Sequence, residues 1–158
     1  MKQAKLFTAI ILIAILFLSG KNFAQQWSPE QKDVWYGVQK YWDVFAMGDA
    51  KTDMSYYDES YMGWEFQSKV PQNKANTSKW IEYMLSNSSI VLYTLTPVAI
   101  WVKGDFAYAD YFYSMITIDN ETGKKENSEG TWTDILMKKD GKWLLIGDRG
   151  GNISNIHE

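Results

Sequence analysis

Cysteine is absent from the 158-residue chain. That excludes a disulfide framework, a thiolate nucleophile and any Cys-ligated zinc or iron–sulfur site. Histidine is nearly absent. The only one, His157, stands next to last in a Gly-, Asn- and Ser-containing stretch, a poor platform for a Ser-His-Asp triad or a His-ligated metal. Arginine is reduced to Arg149, and proline to three residues. The longest apolar stretch, Leu6 to Leu18 with Thr8 as its one polar residue, has thirteen residues, short of the roughly 18–20 that span a bilayer. Aromatic rings, by contrast, are in surplus.

That apolar run sits in a recognisable frame. Lys2 and Lys5 precede it, and Ser19-Gly20-Lys21-Asn22-Phe23-Ala24 follows it, ahead of Gln25-Gln26. This order of basic, apolar and small-residue regions predicts a secretory signal peptide over 1–24, with an uncleaved anchor as the alternative. The mature chain, 25–158, is then a single domain in the periplasm or outside the cell, with no membrane attachment after cleavage. It carries 13 basic and 19 acidic side chains, a net charge of −6. An acidic domain does not bind phosphate backbones by counterion release, so nucleic acid is not an expected partner. Its 134 residues suffice for one core without staples. Of these, 22 are Trp, Tyr or Phe, more than a plain core needs, so some are expected to line a cavity.

Helices come first. Ser28-Pro29-Glu30-Gln31 has the form of a capping box, and Val34, Trp35, Val38, Tyr41, Trp42 and Phe45 recur at helical spacing. Gly48 ends that helix, and Asp49 caps a shorter one running to about Tyr57. Tyr61 to Phe66 reads as a short strand. Asn76 or Thr77 caps a third helix with Trp80, Ile81, Met84 and Leu85 as its buried stripe. From Ser89 the period changes to that of strands: Ile90–Val102 with Pro97 as a bulge or edge feature, Phe106–Ile118, Ser128–Lys138 and Trp143–Arg149. Asp140-Gly141 is the strongest hairpin signal. Asp119-Asn120-Glu121-Thr122-Gly123 falls short of a calcium loop, since its Gly is misplaced and no closing Glu follows. The plan is α+β, with helices preceding a long meander.

Val38-Gln39-Lys40-Tyr41 followed by Gly48-Asp49 resembles the first-helix signature of the nuclear transport factor 2-like superfamily. Lys139-Asp140-Gly141-Lys142-Trp143 resembles that superfamily's last hairpin, and the order of elements agrees over nearly all of 28–151. The resemblance implies a cone-shaped domain: three N-terminal helices packed in a strongly curved antiparallel sheet, with a pocket between them. It also implies a homodimer formed through the outer sheet face. Members include SnoaL-like cyclases, ketosteroid isomerases, dehydratases and association domains.

Three residues are candidates for acid–base chemistry without metal or cofactor. Tyr41 lies on the apolar face of the first helix, either as a core Tyr or with its hydroxyl in the pocket; it matches the hydroxyl donor of ketosteroid isomerases. Asp134 shares a strand face with Trp132 and Leu136, which is either solvent-facing or apolar enough to raise its pKa. The resemblance favours the pocket, where an Asp kept protonated donates to a developing oxyanion, as in the isomerase that serves as a standard example. Glu65 matches the isomerase's general base, an Asp there, and is otherwise a surface Glu. Trp42, Phe45, Tyr61, Trp64 and Trp132 are the rings expected to hold a ligand, together with Arg149. Arg149 can alternatively pair with Asp134 or Asp110, and pairing with Asp134 would ionise it. The leading expectation is an exported domain binding a small apolar or carbonyl-containing molecule. The alternatives are an isomerase or lyase of ketosteroid-isomerase type and a dimeric assembly module.

Overall fold

The computed structural model describes residues 26–153; the proposed signal segment and His157 lie outside them. Helix α1 (Pro29–Ala46) starts with the expected capping box. The Ser28 hydroxyl accepts the Gln31 N–H at 3.2 Å, and the Gln31 side chain accepts the Ser28 N–H at 2.8 Å. Gly48, at φ 80°, takes the chain out of the helix in the left-handed region. Asp49 caps α2 (Ala50–Asp53), which is shorter than its pattern suggests and passes into a 3-10 turn, Met54–Tyr56. Strand β1 (Tyr57–Glu65) begins four residues earlier than expected. After the two-residue β2 (Gln72–Asn73) comes α3 (Lys74–Asn87). Asn73 caps α3 rather than Asn76 or Thr77, its side chain accepting the Asn76 N–H at 3.0 Å. The meander follows as β3 (Ser88–Lys103), β4 (Phe106–Asp119), β5 (Lys125–Lys139) and β6 (Lys142–Asn152). Asp140 and Gly141, both at positive φ, make the β5–β6 hairpin turn.

One six-stranded sheet results, in the order β2-β1-β6-β5-β4-β3. It is mixed, which corrects the antiparallel expectation: β1 runs parallel to β6. The chain leaves β1, crosses through α3 to the far edge at β3, and returns by hairpins until β6 lies beside β1. Bulges in β3, one of them directly after Pro97, and another between β5 and β6 bend the sheet around the helices without closing it into a barrel. The fold is thus the α+β cone implied by the sequence.

The core lies between α1 and the concave sheet face. Val34, Val38, Tyr41 and Trp42 pack against Ala109, Tyr111, Leu136 and Leu145, at roughly 1.5–3 kcal/mol for each large apolar side chain fully buried. Polar ties orient the helix on the sheet: Gln31 Nε2 donates to the Ile100 carbonyl at 2.6 Å, and Trp143 Nε1 donates to Asp33 at 2.9 Å.

Candidate functional site

Toward the C-terminal end of α1 the core opens into a cavity of about 320 Å³ between the helices and the concave face, within the size range of small-molecule sites. Tyr41, Trp42 and Phe45 reach it from α1, Tyr61 and Glu65 from β1, and Trp132 and Asp134 from β5. Seven of the nine predicted site residues therefore meet in one place.

Asp134 is 1 % exposed. The Tyr41 hydroxyl donates to its Oδ2, and the Tyr111 hydroxyl donates to Oδ1 at 3.3 Å. The two phenol oxygens lie 2.6 Å apart, and Trp42 Nε1 donates to that of Tyr111 at 2.9 Å. Burial pushes the Asp134 carboxyl well above the usual range, and the neighbouring Asp148 pushes the same way; the two hydroxyls oppose this without overcoming it. Burial likewise raises both phenols far above their ordinary value, with Asp134 as the next cause. Glu65 is half-buried at the cavity wall, and burial raises its pKa too.

Trp64 and Arg149 are not in the cavity, a correction to the sequence reading. Both are exposed, the Arg149 guanidinium lying 5.5 Å from the centre of the Trp64 ring. In β1, Tyr61, Gly63 and Glu65 line the cavity, so alternation turns Trp64 outward. In β6 strict alternation from the inward Trp143 and Leu145 would bring Arg149 inside. Instead Leu145 pairs with Leu136 and Gly147 with Ile135, leaving Ile146 as a bulge. A one-residue slip reverses every side chain beyond it. Asp148 thereby enters the cavity directly opposite Asp134, and Arg149 leaves it. The suggested Arg149–Asp134 pair does not form.

Asp148 is one of three polar groups the sequence reading missed. Its Oδ2 accepts the Tyr61 hydroxyl at 2.7 Å, and burial sets its carboxyl at about 6 despite that bond. Gly63 makes room for the pair: a Cβ there would stand 2.1 Å from the Tyr61 hydroxyl and 2.3 Å from Asp148 Oδ1. Tyr111 is the second, facing inward mid-strand among alternating aromatics that any half-buried strand could carry. The third is Asp53, at the end of α2, 1 % exposed and lining the cavity. Neither of its carboxyl oxygens has a hydrogen-bond partner, and burial lifts its pKa to about 7. Its local sequence, Thr52-Asp53-Met54-Ser55, looks like an ordinary solvent-facing helix end. Among the described residues no three acidic groups converge in a way that could hold a metal ion.

No protein-family profile and no curated protein matches this sequence. Solved structures do match. A ketosteroid isomerase-like protein from Erwinia carotovora atroseptica aligns over 81 % of this chain and 99 % of its own, at a TM-score of 0.69 and 12 % identity. ActVI-ORFA from Streptomyces coelicolor aligns over 80 % and 98 %, at 0.64 and 13 %. A nuclear transport factor 2-like protein with a cystatin-like fold from Novosphingobium aromaticivorans aligns over 78 % and 82 %, at 0.60 and 12 %. At such identities the likeness is one of fold: this chain has the nuclear transport factor 2-like, SnoaL-like fold.

Proposed function

We propose that this domain binds a small, largely apolar molecule in the cavity between α1, α3 and the concave sheet face. The observation that carries the reading is the cavity itself: a concave site walled mostly by apolar side chains, nine of them aromatic, with a few polar groups converging at its floor. A panel of small apolar ketones and enones, measured by thermal shift, tests it. Concentration-dependent stabilisation that is lost when Trp132→Glu or Phe45→Glu removes a ring and charges the wall supports binding. No shift with any compound would count against it.

A second reading, proton abstraction next to a carbonyl, is favoured by the Tyr41–Asp134 contact. A ligand oxygen seated between these groups replaces their mutual bond and accepts from the phenol and from the protonated carboxyl. Glu65 then removes the α-proton, the oxygen gathers the charge, and Glu65 returns the proton to another carbon. Turnover that disappears in Glu65→Gln while ligand stabilisation persists separates enzyme from binder.

We further propose export. The order of residues 1–24 supports cleavage before Gln25, and intact-mass measurement of periplasmic or secreted material checks it. Full-length chain in the membrane fraction would overturn it.

A further inference from the structure

Nine aromatic side chains line the cavity, and with them four carboxyl groups: Asp53, Glu65, Asp134 and Asp148. None of the lining residues is Lys, Arg or His. Asp134 is held by two phenols and Asp148 by one, whereas Asp53 is buried against the cavity with both oxygens unpartnered. A buried carboxyl without a partner is unfavourable in the empty fold, so its presence at a cavity wall points to a partner that arrives with the ligand. The protein's own cations do not serve. Lys74 on α3 donates to the Tyr57 carbonyl at 2.6 Å and pairs with Glu59 at 2.7 Å. The α3 residues that line the cavity, Asn76, Thr77, Trp80 and Ile81, are all non-ionisable. The other charged or titratable neighbours of Asp53 are Asp49, which caps its own helix, and Tyr57 on β1. An anionic ligand would meet four carboxyls and no cation.

We propose that the cavity takes an organic cation, a small amine whose ammonium lies on the Asp53 side and whose apolar body packs against the rings. Ring faces carry negative quadrupole charge and attract cations directly, so walls and floor select the same sign. A monoamine also suits carboxyls that do not converge on a metal. This inference rests on the binding reading above and narrows its ligand class.

The test compares three probes of similar shape on the intact mature domain at pH 8, by titration followed with NMR: 2-phenylethylamine as the cation, 2-phenylethanol as the neutral counterpart and 3-phenylpropionate as the anion. The cation is expected to bind at least about tenfold tighter than the alcohol, and the anion weakest. In Asp53→Asn, which keeps the side-chain shape, the preference for amine over alcohol should fall by most of that factor. Equal or tighter binding of the alcohol by the wild type overturns the cation proposal and leaves the binding reading standing. Binding of none of the three overturns the proposal, and the ketone and enone panel then decides the broader reading separately. A preference unchanged in Asp53→Asn overturns the role given to Asp53.

Discussion

At Asp53 the fold holds a carboxyl at about 7 against an ordinary 3.8. Well below pH 4 the group is protonated in both folded and unfolded chains and has no effect. As the pH rises from there to 7, the unfolded chain releases its proton first, and folding stability falls by roughly 4 kcal/mol in all. Asp148, at about 6, acts in the same sense. Asp58 and Asp33 act in the opposite sense: hydrogen bonds from Lys139 and Lys138 hold their carboxyls low, so what they contribute is lost as the pH falls below about 4. Urea unfolding should therefore show higher stability at pH 5 than at pH 8, and Asp53→Asn should raise the pH 8 value and shrink the difference. A wild type equally stable at both values would contradict this. Asp134 should titrate well above the reference carboxyl value of about 3.9. Because Arg149 faces outward, Arg149→Met should leave that titration unchanged, as followed by carboxyl-carbon NMR. Tyr41→Phe removes one of two donors to a buried carboxyl and should cost about 1–3 kcal/mol while pushing the Asp134 titration higher still.

Single elements aim the site through two small backbone features. The first is the bulge at Ile146, which turns Asp148 inward and Arg149 outward. The second is Gly63, whose missing side chain is the space occupied by the Tyr61–Asp148 pair. Gly63→Ala would place a carbon far inside van der Waals contact of both, so the pair must separate or the strand must shift. An overpacking cost of about 1–3 kcal/mol is expected, together with loss of ligand-induced stabilisation; a wild-type melting temperature and unchanged binding would show that the pair does not need that space. Helix α1 depends on its cap in a more ordinary way. Ser28→Ala should destabilise the domain by about 1 kcal/mol without changing probe selectivity, because the capping box lies at the opposite end of α1 from the cavity residues.

The whole molecule leaves its outer sheet face uncovered. Trp101, Tyr108 and Ile135 stand in register across β3, β4 and β5, with Phe106 and Phe112 on the same side of β4, all exposed. Trp101 and Tyr108 stack with ring centres 6.2 Å apart. Helices cover only the concave face, and an apolar patch of this kind favours association. Light scattering at micromolar concentration is expected to give a dimer mass, and Trp101→Glu with Phe112→Glu to give a monomer. A monomeric wild type would contradict it.

Elements whose cause lies within a few neighbouring residues were legible in the sequence. The capping box at Ser28, the apolar stripe from Val34 to Phe45, the Asp140-Gly141 turn and the four long strands all follow from local spacing and turn chemistry. So does the shared face of Trp132, Asp134 and Leu136, since no bulge interrupts that stretch of β5. The parallel pairing of β1 with β6 was not legible, because it depends on where a distant crossover sets the strand down. Arg149 was misplaced for a related reason: period-two alternation holds only while the register does, and the slip at Ile146 is set by cross-strand packing. Asp53 lies furthest from view. Nothing in its own turn of chain marks it, and its carboxyl becomes a buried, unpartnered group only when α3 and the sheet close around the end of α2.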